Sequence, residues 1–173
     1  MITPEQETWL AHLSDTDSIK IFPANPEAHN IFKEIKKKIQ SNLGENISVI
    51  HKGATSLDIS GQGELDVYVP VEIEGFGVLV DAVQKIFGPP RSLYALDRAR
   101  FVTSIKGIKI EIFVINQEGK GWTDSCKFEQ YLKENPKALR VYEKLKEEGE
   151  GLSTQKYYRR KIEFINEILD KIK

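Results

Sequence analysis

The sequence has one cysteine, no long hydrophobic run and almost no net charge, and each of these absences excludes a class of protein. Because Cys126 is the single cysteine, an internal disulfide and a multi-cysteine zinc site are excluded. The formal net charge of −1 excludes a surface that is basic overall, although a local basic groove is still compatible with it. Residues 1–17 are acidic and lack a long apolar run, so we expect neither a signal peptide nor a membrane span. These features predict a cytoplasmic protein that does not act at a membrane, and nothing in them requires an obligatory protein partner.

The composition, with 40% hydrophobic and 29% charged residues, is typical of a globular protein. The length of 173 residues favours one domain, or one core with a helical appendage. The hydrophobic pattern changes from mixed to purely helical at about Thr123. We therefore expect residues 1–122 to form an α/β core with an N-terminal helix. Residues 123–173 are expected to form a helical C-terminal extension packed on that core, giving a single compact unit.

Apolar periodicity and turn residues predict the individual elements. Helices are expected over residues 3–14, 25–44, 75–88, 124–135 and 136–148, with a last helix capped by Ser153. Strands are expected over residues 18–22, 47–51, 64–73, 92–96, 100–105 and 109–115. Lys106 and Gly107 are expected to turn the last two strands into a hairpin. In the last helix, an inward stripe is expected to comprise Tyr158, Ile162, Ile165, Leu169 and Ile172.

Three carboxylates occupy strand positions, where acidic residues are depleted. Successive strand side chains point to opposite faces, so Glu64 and Asp66 share the face opposite Leu65 and Val67. Glu111 lies on the comparable face of a later strand that could lie beside them. One interpretation is a solvated face. The other is a site for Mg²⁺ or Mn²⁺, since Mg²⁺ prefers oxygen ligands and often uses carboxylates together with substrate phosphates.

The loop that precedes the strand of Glu64 and Asp66 contains residues that can contact phosphate. Backbone N–H groups of Gly53 and Ala54 and the hydroxyls of Thr55 and Ser56 are candidates, especially if a helix begins there. The candidate counter-charges for the phosphates are Lys52, Arg98, Arg100 and Lys109. His51, beside the loop, is expected to be a hydrogen-bonded structural residue.

Two stretches resemble a known family. Gly53 followed by Glu64-Leu65-Asp66-Val67 and a later strand carboxylate is similar to the nucleotidyltransferase superfamily. "HKGATS" and "KFEQYLKENPKALRVYEKLKEE…YYRRKIEFI" resemble the GrpB-like branch of that superfamily over roughly residues 20–170. The resemblance implies a polymerase-beta-like fold with a mixed sheet core. It also implies that Lys161, in the last helix, is placed to reach a phosphate; the alternative is a solvated helix face.

The resemblance implies a metal-dependent nucleotidyltransferase. Such an enzyme would move a nucleoside monophosphate from an NTP, with ATP expected, to a hydroxyl of RNA or a small molecule. Glu64, Asp66 and Glu111 would be the catalytic and metal-binding residues.

Departures from the family pattern keep other interpretations open. Ala54 replaces the usual serine, and an alternative alignment makes Asp66 the first acid and places Tyr68 at the second. Under that alignment the metal site would be incomplete. Ala54, the short loop and this alignment together support the alternative of a nucleotide- or RNA-binding module without turnover. A third interpretation, a metal-dependent phosphohydrolase, uses the same acids with water as the acceptor.

Overall fold

The computed structural model describes residues 1–172, and these form two units. Residues 24–59 and 63–123 make one, called the sheet unit. Within the described residues, 1–23, 60–62 and 124–172 make the other, called the helical unit. The grouping differs from the expected one, because residues 1–23 and 60–62 cluster with the C-terminal helices and not with the core. Every helix within residues 1–172 is too short or too polar to cross a bilayer.

The helices and strands follow the predicted order with altered ends, except that residues 18–22 form no strand and a short helix is present at residues 53–56. The helices are α1 (Pro4–Leu10), α2 (Ala28–Leu43), α3 (Gly53–Ser56), α4 (Phe76–Phe87), α5 (Lys120–Glu134), α6 (Pro136–Glu147) and α7 (Thr154–Lys171). The strands are β1 (Ile50–Lys52), β2 (Leu65–Val71), β3 (Ser92–Tyr94), β4 (Arg98–Ile105) and β5 (Ile108–Asn116). A single 3-10 turn, Ile73–Gly75, leads into α4.

The five strands form one mixed sheet in the order β1-β2-β5-β4-β3. β2 and β5 are parallel, and the other neighbouring pairs are antiparallel. The predicted hairpin between β4 and β5 is confirmed. Lys106 and Gly107 have φ values of 52° and 80°, as a two-residue type I′ turn requires. The α/β fold class expected from the sequence is therefore confirmed.

One face of the sheet carries the core of the sheet unit. Alternate residues of β2 and β5 point to this face and pack against α2 and α4. The predicted stripe of α2 is confirmed, since Ile31, Ile35 and Ile39 are all fully buried. α2 ends at Gly44, whose φ of 113° is accessible to glycine at little cost. Because the core uses one face, the other face of β2 and β5 is left for polar side chains.

Two N-terminal predictions are wrong. The expected strand over residues 18–22 is reduced to one bridge between Phe22 and Gly61. Ile19 instead exchanges backbone hydrogen bonds with Gly151 and Leu152, so the segment pairs with a loop. The first helix ends at Leu10, not at residue 14, and a capping box between Thr3 and Gln6 fixes its start.

The helical unit buries a different stripe of α7 from the one predicted. Its buried residues are Tyr157 and Ile168, so the stripe is displaced by one position from Tyr158 and Leu169. The displacement is explained by Gly149, because a Cβ there would lie 2.4 Å from the Tyr157 ring. A residue without a side chain thus makes room for the tyrosine. Ser153 caps α7 as predicted, accepting a hydrogen bond from the Lys156 N–H.

Helix α1 is attached to α7 by a bidentate ion pair. Arg159 donates to both carboxylate oxygens of Glu7, at 2.7 and 2.6 Å. Next to it, the Trp9 ring meets the Tyr158 ring edge-on, with their centroids 5.5 Å apart. The Arg159 hydrogen bonds hold the pKa of Glu7 below its ordinary value of 4.5. A carboxylate with a lowered pKa stabilises the fold above its ordinary pKa and loses that contribution as the pH falls through its lowered value.

We therefore predict that α1 loosens from α7 on acidification below about pH 4.5, the ordinary pKa of Glu7. Trp9 fluorescence, recorded in a Trp122→Phe background during an acid titration, measures the loosening. Arg159→Gln should loosen the helix already at neutral pH and flatten the titration, whereas Arg160→Gln should leave the titration unchanged. A titration in Arg159→Gln that overlays the parent would contradict the assignment.

Candidate functional site

The polar face of the sheet brings a lysine and two carboxylates into one row across three strands. In the strand register, Lys52 of β1 lies opposite Asp66 of β2. Asp66 in turn lies opposite Glu111 of β5. Neighbouring strands are about 4.8 Å apart, so opposite side chains on one face are in reach of one another. The sequence prediction that Asp66 and Glu111 lie side by side is therefore met, and these three residues are called the charged row.

Glu111 is held by two cations of the same face. Arg100 Nη1 lies 3.1 Å and Lys109 Nζ 2.5 Å from its Oε1 atom. The residue is only 9% exposed. A carboxylate that is this buried needs paired charges and hydrogen bonds, and both cations supply them. Two of the predicted counter-charges thus lie at the predicted site, where they neutralise a protein carboxylate.

Asp66 lies directly against the loop that precedes β2. A Cβ built on Gly53 would sit 2.3 Å from the Asp66 Oδ2 atom, and Gly53 has a φ of 76°. A side chain is therefore excluded at position 53 both by space and by backbone conformation. Glu64 is half-buried and precedes the first residue of β2. The atoms nearest to a Cβ built on Gly53 all belong to Asp66, and the choice between the two alignments stays open.

The loop hydroxyls are engaged within the loop itself. Residues Gly53–Ser56 form the single turn α3. Ser56 Oγ donates to the Gly53 carbonyl at 2.9 Å, and the buried Thr55 Oγ1 lies 2.9 Å from His51 Nε2. His51 is thus a hydrogen-bonded structural residue, as predicted, and it also stacks on Phe32. To donate to a phosphate, the Ser56 hydroxyl would have to give up its bond to the Gly53 carbonyl.

Sequence reasoning missed a hydrogen-bond contact at the end of the loop. His29 of α2 lies 2.7 Å from Asp58 through Nε2 and Oδ1. Asp58 has a φ of 55°, a conformation that aspartate tolerates better than most residues. No sequence pattern indicates this partner of His29, because the contact depends on the local turn at Asp58.

An aromatic group adjoins the charged row on the same face. The Tyr68 ring stacks on Phe113, with centroids 4.7 Å apart, and on Trp122, with centroids 5.6 Å apart. These three rings are called the aromatic stack. Lys52 Nζ lies 5.4 Å from the Trp122 ring centroid, and Lys52 is only 5% exposed. Tyr68 and Phe113 follow Asp66 and Glu111 by two residues, so the strand period could have predicted their shared face.

The donors as arranged do not fit a divalent ion. Within residues 1–172, no three histidine, cysteine, aspartate or glutamate side chains come together as a metal-binding group. Mg²⁺ demands near-octahedral oxygen coordination, whereas the Glu111 Oε1 atom is already bound to Arg100 and Lys109. Binding of Mg²⁺ or Mn²⁺ stays a prediction, and it requires Glu111 to leave its cation partners first.

The remaining predicted phosphate contacts lie in different places. Arg98 shares the polar face with Arg100, since the two are two positions apart in β4 with one residue between them. Its guanidinium carbon lies 5.0 Å from the Tyr94 ring centroid. Lys161 belongs to the helical unit, where its Nζ atom lies 5.2 Å from the Tyr158 ring centroid. The role expected for Lys161 stays a prediction.

Comparisons with known proteins identify a family and a similar structure for this chain. The family model described as GrpB protein matches residues 18–171. The crystal structure of the conserved protein GrpB from Enterococcus faecalis matches with a TM-score of 0.67 and 22% sequence identity, covering 88% of this chain and 99% of that chain. At this identity the likeness supports the fold alone. No curated protein sequence matches the chain. Because the family model covers most of the sequence, this chain belongs to the GrpB family, which has a nucleotidyltransferase-like fold.

Proposed function

We propose that this GrpB-family chain binds a nucleoside triphosphate on the polar face of its sheet. The observation that carries the proposal is the placement of cations beside the aromatic stack on one face. Lys52, Arg100 and Lys109 lie there together with Phe113, Tyr68 and Trp122. A nucleotide has a planar base and a polyanionic phosphate chain. Aromatic rings stack on the base, and lysine and arginine pair with the phosphates.

Binding would rearrange the ion pairs around Glu111. A triphosphate offers Arg100 and Lys109 several negatively charged oxygens, and both are partly exposed, with side chains 37% and 55% accessible. Arginine in particular matches phosphate geometry with its planar set of donors. Each cation that turns to the phosphate weakens the neutralisation of Glu111. Nucleotide binding and the state of this carboxylate are therefore linked.

Nucleotidyl transfer is the second candidate, and the side-by-side position of Asp66 and Glu111 favours it. In this reaction the acceptor hydroxyl oxygen attacks the α-phosphorus and forms a new O–P bond. The bond from that phosphorus to the bridging oxygen breaks, and pyrophosphate leaves with the electron pair. A Glu111 carboxylate released from its cations would take the hydroxyl proton, and Asp66, beside it, would position the acceptor. Dependence on Mg²⁺ or Mn²⁺ is a separate expectation that the assays below include.

Lys109→Gln should weaken ATP binding about tenfold, because one charge-assisted contact is lost while the Arg100–Glu111 pair keeps the fold. Isothermal titration calorimetry with ATP measures the affinity. Lys33→Gln is the matched control, since Lys33 is an exposed lysine of α2, which packs on the opposite face of the sheet. Equal affinities for the two variants would contradict the proposed site.

Glu111→Gln should tighten ATP binding severalfold, because the neutral amide no longer competes with phosphate for Arg100 and Lys109. The same titration measures this change, and thermal unfolding checks that the variant is folded. A folded variant that binds ATP more weakly than the parent would show that Glu111 does not compete with the ligand.

An assay of the parent protein and of Asp66→Asn distinguishes nucleotidyl transfer from nucleotide binding without turnover. Purified protein is incubated with each labelled NTP, Mg²⁺ or Mn²⁺, and total cellular RNA or metabolites, and products and pyrophosphate are followed over hours. If the chain is a transferase, the parent yields a labelled product and Asp66→Asn yields none, with a nearly unchanged melting temperature. Turnover that survives in Asp66→Asn would remove the catalytic role of this residue. Parent protein that binds ATP without releasing pyrophosphate is a binding module, and release of phosphate or nucleotide without a labelled product indicates a phosphohydrolase.

A further inference from the structure

The outer edge of the polar face carries a second aromatic and cationic pair. Tyr94 of the edge strand β3 lies opposite Arg98 of β4, and the guanidinium carbon lies 5.0 Å from the ring centroid. Both side chains are accessible, since Tyr94 is 50% and the Arg98 side chain 42% exposed. The nearest carboxylate to the Arg98 Nε atom is Asp97, at 4.0 Å. The ring and the guanidinium plane therefore offer a stacking surface to solvent.

This pair continues the surface that contains the proposed nucleotide site. Arg98 lies opposite Ile115 of β5, while Arg100 lies opposite Phe113. The Tyr94–Arg98 pair is thus displaced by two residues along the strands from the pair formed by Arg100 and Phe113. Two residues along a strand span about 6.8 Å and two strand spacings about 10 Å. A mononucleotide on the aromatic stack would not need to contact Tyr94 or Arg98 at this distance. A longer ligand would reach both residues.

The side-chain types at this edge are those that bind single-stranded nucleic acid. Bases stack on aromatic rings and on arginine planes, and cations follow the phosphates. Arg91, Arg98 and Arg100 lie at the β3–β4 edge, where Asp97 is the acidic neighbour. Leu93 also is exposed, but alternation along β3 directs it away from the face that holds Tyr94. Substitutions of Leu93 and of Tyr94 therefore alter opposite faces of the edge strand, and each can be tested without changing the other.

We infer that the polar face accepts a single-stranded nucleic acid, with one base stacked on Tyr94 and its phosphate paired with Arg98. The inference rests on the proposed function, because it supplies the neighbouring contacts that a polymeric ligand or acceptor would make beside the nucleotide. It identifies the further ligand or acceptor, beside the nucleotide, as a strand of RNA or DNA.

The test measures binding of fluorescein-labelled oligo(rA) and oligo(dA) by anisotropy at fixed salt, and of ATP by calorimetry, to the full chain. Tyr94→Ala should weaken oligonucleotide binding about tenfold and leave ATP affinity unchanged. Tyr94→Phe should retain oligonucleotide binding because it keeps the ring. Arg98→Ala should weaken binding and reduce the slope of log affinity against log salt by about one. Leu93→Ala, at an equally exposed position of the same strand, is the control and should bind as the parent does.

The outcomes distinguish this inference from the proposed function. Tyr94-dependent binding of either oligonucleotide supports the inference, and comparison of the two polymers identifies which strand is preferred. Parent protein that binds ATP but neither oligonucleotide overturns the inference and leaves the proposed function standing. Binding of oligonucleotides through Tyr94 without ATP binding supports the strand site and overturns the proposed nucleotide site. Equal losses in Tyr94→Ala and Leu93→Ala, or an equal loss in Tyr94→Phe, overturn the stacking role.

Discussion

The neutralisation of the Glu111 carboxylate is the interaction on which the polar face depends. The parallel pairing of β2 and β5 sets this buried acid beside a second acid, Asp66, and like charges opposite one another destabilise a sheet. Lys52, Arg100 and Lys109 restore the balance from three different strands. Because those strands must stay in register for the charges to meet, the electrostatic arrangement and the sheet topology support each other.

The loop before β2 is fixed from several sides, which explains how a four-residue turn can hold a defined shape. Gly53 closes onto Asp66, while the His51–Thr55 contact and the His29–Asp58 pair attach the turn to β1 and α2. Preorganised loops lose less conformational entropy when a ligand binds. In this chain the loop presents its backbone and keeps its hydroxyls in internal bonds.

Sequence patterns predicted the parts of the fold that follow from period and local turn chemistry. Alternation assigned the two faces of β2 and β5, and the Lys106–Gly107 pair assigned the hairpin. They did not predict which cations meet Glu111, because that depends on the register of β4 against β5. Trp122 joins the aromatic stack from the first turn of α5, where no periodic signal marks it. The segment at residues 18–22 alternates like a strand, yet its backbone partner is a loop more than a hundred residues away, and local pattern carries no information about such a partner.

The two ion pairs of Glu111 also bear on how many negative charges a ligand of the polar face needs. A ligand with a single negative charge gains little by approaching Arg100 and Lys109, since it must take over contacts that a built-in carboxylate already makes. A ligand with several closely spaced charges can engage both cations at once and keep them. If the face binds nucleotide as proposed, the protein's own glutamate is an internal competitor that favours polyvalent over monovalent anions.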